Sequence, residues 1–198
     1  PVYKVKQNEQ TLSTTIVQAP LTPVILPGCI AGESLLSQII VDKFLYHLPE
    51  YRQAKRFKEL GVEITTSSIN RWVHVMADKL YGLYAAQMER VLSAGYIQVD
   101  ETTHPITDRP GSARKGYIWV VRSVLFPGVF FYYDKGSRSQ EVVLKMLKGY
   151  QGALQTDGYA AYSIFEEKKG VLPLGCMAHV RRKFEHALTT TPEAKPAL

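Results

Sequence analysis

The sequence predicts an α/β protein in which an all-helical module precedes a mixed sheet of element order β-β-β-α-β-α-β-α. Three observations predict it. Apolar residues recur at helical spacing from Gly32 to Leu92. The period then shortens to runs of β-branched and aromatic residues separated by Gly, Pro and Ser turns. Two of the apolar runs, Tyr96-Ile97-Gln98-Val99-Asp100 and Gly152-Ala153-Leu154-Gln155-Thr156-Asp157, stop at a carboxylate.

The elements follow in order. Residues 1–31 read as an extended, Pro-rich segment, mostly without regular structure, because Pro20, Pro23, Pro27 and Gly28 interrupt any period. Residues 32–95 read as the helical module. Leu35, Leu36, Ile39, Ile40 and Phe44 mark a first helix, and Pro49 opens a second that Gly61 ends. Thr66, Ser67 and Ser68 are cap candidates for a third, long helix that Gly95 stops. Residues 96–198 read as the sheet region. Tyr96–Val99, Tyr117–Ser123 and Val129–Asp134 form a meander, and a helix follows over Ser139–Tyr150. Then come the strand ending at Asp157, a short helical stretch near Tyr159–Glu167, a strand at Val171–Gly175 and a helix from Ala178 to Leu188.

Composition bounds the function classes. The chain has 198 residues, 45% of them hydrophobic and 21% charged, as in an ordinary folded protein. No apolar stretch reaches the roughly 18 residues of a membrane span, and no signal peptide is visible. The net charge of +6 favours a polyanionic partner. The two cysteines, Cys29 and Cys176, cannot make a disulfide framework, so the cytosol is the default compartment. The opening without Met and the breaker-rich close Thr191-Pro192-Glu193 read as a piece of a longer protein.

A strand that ends in an acid either starts a turn or delivers the acid to a sheet edge. Three meandering strands followed by strand–helix units resemble the ribonuclease-H-like fold, in which the first and fourth strands lie adjacent and parallel. Asp100 and Asp157 would then meet, within roughly 4–7 Å if they share metal ions. Carboxylates so placed suit Mg²⁺ or Mn²⁺. Two such ions about 4 Å apart serve phosphodiester chemistry by activating the nucleophile, stabilising the leaving oxygen and neutralising charge. Asp100 would bridge both ions and Asp157 would hold one. A third acid is needed. Glu101 faces the other way from Asp100 along a strand. Glu185 on the last helix is a candidate, whereas Glu166 and Glu167 read as a solvated face with Lys168 and Lys169.

Longer motifs carry a family resemblance. Val99-Asp100-Glu101-Thr102, the run Gly152 to Tyr162, and Gly175-Cys176-Met177-Ala178-His179-Val180-Arg181-Arg182-Lys183-Phe184 resemble transposases of the bacterial insertion sequence 66 family. So do His47-Leu48-Pro49-Glu50-Tyr51-Arg52-Gln53 and Ser68-Ile69-Asn70-Arg71-Trp72-Val73 in the helical half. The resemblance implies a DDE transposase with a ribonuclease-H-like core, with Asp100 and Asp157 as its first two acids. It implies DNA as partner, both transposon ends and target, and leaves room for a homo-oligomer in the active complex. It puts the third acid, a Glu, beyond the Cys-x-x-His motif and past Leu198, so this chain by itself is expected not to cut DNA. The family's N-terminal zinc-ribbon cysteine pairs do not occur here.

Other residues complete the reading. Cys176 and His179 cannot close a tetrahedral zinc site alone. They serve a structural role, position the DNA backbone with Arg181, Arg182 and Lys183, or simply begin a half-buried helix. Arg114, Lys115 and Arg138 are further candidates for a basic surface beside the acids. His104 could touch substrate. Arg52, Lys55, Arg56 and Lys58 make a basic stretch that, with the Gly61 turn and the next helix, suggests a helix-turn-helix. Trp72, Tyr81 and Tyr84 are assigned to the core. The rivals to a transposase are a nuclease of the same fold, which hydrolyses without joining, and a non-catalytic DNA-binding remnant.

Overall fold

The computed structural model describes residues 2–6, 14–18, 24–109 and 111–190. The chain divides into two compact units, residues 1–79 and 80–198.

In the first unit, β1 (Val2–Lys6) and β2 (Thr14–Gln18) pair antiparallel. This strand pair lies in the segment expected to be mostly without regular structure: Val, Tyr, Thr and Ile dominate both runs, and Pro20, Pro23 and Pro27 fall after them. Helices α1 (Glu33–Phe44) and α2 (Glu50–Glu59) and the start of α3 (Thr66–Leu92) follow. Pro49 precedes α2 as its N-cap residue, where its missing N–H is no loss. The cap of α3 comes one residue earlier than expected, since Thr65 Oγ1 accepts the Ser68 N–H at 3.1 Å. Leu36, Ile39, Phe57, Ile69, Trp72, Val73 and Met76 form the core of this unit. Within it Gln53 is fully buried and its amide donates to the Leu48 carbonyl at 3.0 Å.

The second unit begins at Leu80 inside α3, before the point near Gly95 at which periodicity separates helices from strands. Val91 of that helix belongs to the core of the sheet, and Met88 and Leu92 pack against it. Tyr84 packs against it and donates to the Phe131 carbonyl at 2.9 Å. Tyr81, assigned to the core from its spacing, is 64% exposed, because the apolar stripe of α3 turns away from it.

The sheet has five strands in the order β5-β4-β3-β6-β7, where β3 is Tyr96–Arg109, β4 Ser112–Ser123, β5 Val129–Tyr132, β6 Gly152–Thr156 and β7 Val171–Gly175. The meander β3-β4-β5 is antiparallel, and β6 and β7 add in parallel. This mixed sheet is compatible with a ribonuclease-H-like fold. Helix α4 (Gln140–Met146) is shorter than expected, and a 3-10 helix spans Ala160–Phe165. Helix α5 (Met177–Thr190) buries none of its residues.

Two features set the site. First, β3 does not end at the acid as expected. Thr102, Thr103 and Ile106 carry it on to Arg109, paired with β4. What stops is its other neighbour, since the β3–β6 ladder ends at Gln98–Gln155. Pro105 is tolerated in the long strand because it lies beyond β6, where that edge of β3 needs no N–H donor. Second, Gly152 opens β6 at φ +130, and a Cβ there would lie 2.5 Å from the Gly95 carbonyl oxygen. Only glycine lets β6 start this close to β3, where Ala153 N–H donates to that same carbonyl at 2.9 Å.

Candidate metal centre and active site

Alternation along β3 sends successive side chains to opposite faces. Ile97 and Val99 join the core with Trp119 and Val121 of β4. Gln98 and Asp100 line a cleft on the other face, with Arg122, Gln155, Asp157, Cys176 and His179. The cleft holds about 210 Å³.

Its floor is a hydrogen-bonded amide. Gln155 Oε1 accepts from Gln98 Nε2 at 2.7 Å and from the Tyr96 hydroxyl at 2.9 Å. Gln155 Nε2 donates to the Gly175 carbonyl at 3.2 Å. One side chain thus ties together β3, β6 and the end of β7.

Above this floor stand the acids. Asp100 Oδ1 accepts the Glu101 N–H at 2.9 Å. Asp157, one residue past β6, accepts the Tyr159 N–H at 2.9 Å across a turn that Gly158 makes at φ +80. Each carboxylate is oriented by its own backbone and keeps lone pairs for a ligand. His179 arrives from the first turn of α5, which the Cys176 N–H anchors to the Thr156 carbonyl at 2.8 Å. One ligand atom from each of Asp100, Asp157 and His179 lies within 4.8 Å of the others.

These residues fit a divalent cation. Ligands about 2.1 Å from one ion sit at most about 4.2 Å apart, so small side-chain rotations close the set. Carboxylate oxygens suit a hard cation, and like charges this close favour one between them. His179 Nδ1 is buried without a hydrogen-bond partner.

The face behind Asp100 holds a second charged cluster. Glu101 is almost wholly buried, pairs with Arg138 through Nε at 2.6 Å, and accepts the Tyr162 hydroxyl at 3.1 Å. Arg138 stacks on Tyr159 at 3.7 Å. Burial works against the Arg138 charge, but the Glu101 hydrogen bond and charge outweigh it and raise its pKa. Burial, then the Glu101 charge, pushes the Tyr162 phenol well above its ordinary value.

Residues 28–198 match the family described as Transposase IS66 family. The chain belongs to the transposase IS66 family. It is 32% identical over 196 residues to "Uncharacterized protein y4jD" of Sinorhizobium fredii (strain NBRC 101917 / NGR234), covering 90% of this chain and 38% of that protein. It is 31% identical over 184 residues to "Uncharacterized protein y4qI" of the same strain, covering 85% and 34% respectively. The chain therefore spans about a third of the length of these IS66 relatives.

Within this family member the expected site residues separate. Asp100, Asp157 and His179 come together. Arg182 lies over the same place, its guanidinium 3.1 Å from His179 Nε2. Arg181 is exposed on α5 and pairs with Glu185 at 2.8 Å, and Lys183 is exposed beside it. Glu185 is thereby engaged away from the acids and is absent from their ligand group. Arg114 and Lys115 lie far along the hairpin, opposite Ile106 and Pro105. Arg114 donates to the Lys135 carbonyl at 3.1 Å, and Lys115 sits over the Tyr117 ring at 5.6 Å. Arg138, expected at a DNA surface, is instead occupied by buried Glu101 on the opposite face, because that carboxylate needs a counter-charge. His104 is exposed on the hairpin, on the same face as Asp100. In the first unit, Arg56 of the basic stretch is bound to buried Asp42, which leaves it structural. Arg52 donates to the Tyr51 hydroxyl, and Lys55 approaches Glu59 at 3.9 Å.

Sequence reasoning missed Gln98, Gln155 and Arg122. A signal for the first two exists: Gln-x-Asp occurs in both acid-bearing strands, at 98–100 and 155–157. Arg122 gives none, since it faces the cleft only through the β4 register.

Proposed function

We propose that this chain carries the first two acids of a DDE transposase. The carrying observation is the convergence of Asp100 and Asp157 at the edge of a parallel strand pair, in a member of the transposase IS66 family. The substrate is DNA, both transposon ends and target, and the reaction is phosphodiester hydrolysis followed by transesterification. In each step a new P–O bond forms to water or to a 3′ hydroxyl. The bond to the leaving oxygen breaks, the nucleophile's proton passes to solvent, and the leaving oxygen takes up a proton from solvent. Asp100 and Asp157 would hold Mg²⁺ or Mn²⁺, which lowers the pKa of the nucleophile and stabilises the leaving oxygen.

The chain's own residues supply position and charge. The Gln98–Gln155 bridge holds the strands that carry the acids. Arg122 in the cleft and Arg181, Arg182 and Lys183 on α5, with Arg114 and Lys115 further off, offer a basic surface for the DNA backbone. Among the described residues two acids join the ligand group, and on this reading the 198-residue chain is expected to bind metal without cutting DNA.

The test uses a form extended to the length of the IS66 relatives. Asp100→Asn or Asp157→Asn in it should lower cleavage of element ends by at least about 10²–10³-fold while sparing DNA binding. Full cleavage by either variant would sink the reading. Hydrolysis without strand transfer would instead mark a nuclease.

A further inference from the structure

We propose that His179 is a third ligand at the acid pair, making a two-carboxylate, one-imidazole set that selects a d-block cation such as Mn²⁺ over Mg²⁺. The inference rests on the acid pair being the metal site of the proposed reaction and deepens it by naming the ion that the site prefers.

Three observations carry it. A ligand atom of His179 lies within 4.8 Å of carboxylate oxygens from both Asp100 and Asp157. His179 Nδ1 is buried without a partner, a costly arrangement for a polar atom that a ligand would relieve. The residue is also held beside the second acid: the turn that opens α5 is bonded to the end of β6 through Cys176 and Thr156, and Asp157 is the next residue along. Asp100 thus lies where β6 stops beside β3, and Asp157 and the imidazole are fixed at that same end of β6.

The donor chemistry sets the selectivity. Mg²⁺ prefers oxygen ligands and gives up its water reluctantly, so it gains little from an imidazole. Divalent d-block ions accept nitrogen readily. Adding His179 to two carboxylates therefore raises Mn²⁺ affinity more than Mg²⁺ affinity.

Arg182 makes the site responsive. A guanidinium only donates, so the contact at 3.1 Å uses the lone pair of His179 Nε2 and leaves the ring proton on Nδ1. Coordination through Nε2 displaces Arg182. Coordination through Nδ1 moves the proton to Nε2, where two donors then face each other. By either route the cation frees the Arg182 guanidinium for a phosphate.

The experiment is metal titration of the 198-residue chain, with Mn²⁺ and Mg²⁺ added alone, together with pulsed EPR of the Mn²⁺-loaded protein. The unmutated chain should bind Mn²⁺ at least tenfold more tightly than Mg²⁺. It should also show nitrogen hyperfine coupling that changes when histidine is ¹⁵N-labelled. His179→Gln should lose the coupling and most of the Mn²⁺ preference, with Mg²⁺ affinity altered less than threefold. Absence of histidine coupling in the unmutated chain overturns the proposal without reference to any variant. So does an Mn²⁺ preference retained in His179→Gln. The larger reading fails differently: if Asp100→Asn binds both ions as tightly as the unmutated chain, the acids are not the metal site at all.

Discussion

Gln98 and Gln155 face each other across the parallel pair β3–β6, and the Gln98 amide donates to the Gln155 carbonyl oxygen at 2.7 Å. The same register, continued two residues, sets Asp100 beside Asp157. Neighbouring strands lie about 4.8 Å apart, so a shared register and a shared face already bring the two carboxylates within reach of one ion. The glutamine bridge is the polar contact that fixes this register directly beneath the acids.

Replacing Gln155 should therefore disturb the acids as well as the sheet. Gln155→Leu keeps the volume but leaves the partner groups of three hydrogen bonds unmatched. A loss of about 1–3 kcal/mol in urea denaturation is expected, with weaker Mn²⁺ binding in the fraction that folds. Unchanged metal affinity would mean that Gly152 and the backbone ladder set the register alone.

Glu101 and Arg138 should behave as a structural pair. Arg138→Ala strands an almost wholly buried carboxylate, and a loss of about 2–3 kcal/mol is expected, discounted for the partial exposure of the arginine. Glu101→Gln with Arg138→Ala should cost less than the sum of the single changes. Strict additivity in such a cycle would show that the two groups do not interact.

Glu50 should give the first unit an acid-sensitive step. It is partly desolvated, which opposes its charge. Hydrogen bonds from Lys43 at 2.6 Å and from Asn70 outweigh that and lower its pKa below the ordinary value of 4.5. A carboxylate whose folded pKa is depressed stabilises the fold above its unfolded pKa. That stability is lost as pH falls through the folded value. Glu50→Gln should therefore be destabilised by about 1–2 kcal/mol at pH 7, and the gap to the unmutated chain should narrow as pH falls below 4.5 and close below the folded pKa. A gap that does not narrow as the pH falls would assign the effect to shape rather than charge.

DNA binding should fall steeply with salt, because each neutralised phosphate releases counterions. Arg182→Ala and Lys183→Ala should each reduce the slope of log K against log salt by about one. Arg138→Ala should leave the slope of the folded fraction unchanged, since its charge is already met by Glu101. Fluorescence anisotropy at several salt concentrations reads all three. A salt-independent affinity would count against a backbone-binding surface.

The sequence by itself determined the elements and the chemistry they could carry. The change from helical to strand period near Gly95 is local information, and so are the strands at Gly152–Thr156 and Val171–Gly175 and the helix after them. The two acids were legible because a carboxylate beside an apolar run is rare enough to be noticed, and the motifs around them were long enough to carry a family resemblance. Tertiary structure decided which face each side chain took and what it met there. Asp100 is not the end of its strand; it is the point where β6 stops beside a strand that continues to Arg109. Arg138 and Arg56 look alike in sequence to Arg182 and Lys183, but Glu101 and Asp42 claim the first two. Charge is written in the sequence. Whether a charge is free to meet DNA depends on a partner dozens of residues away, and only the folded chain brings that partner near. His179 joined the acids for the same reason: β7 lies parallel beside β6, so the helix that follows β7 starts where β6 ends.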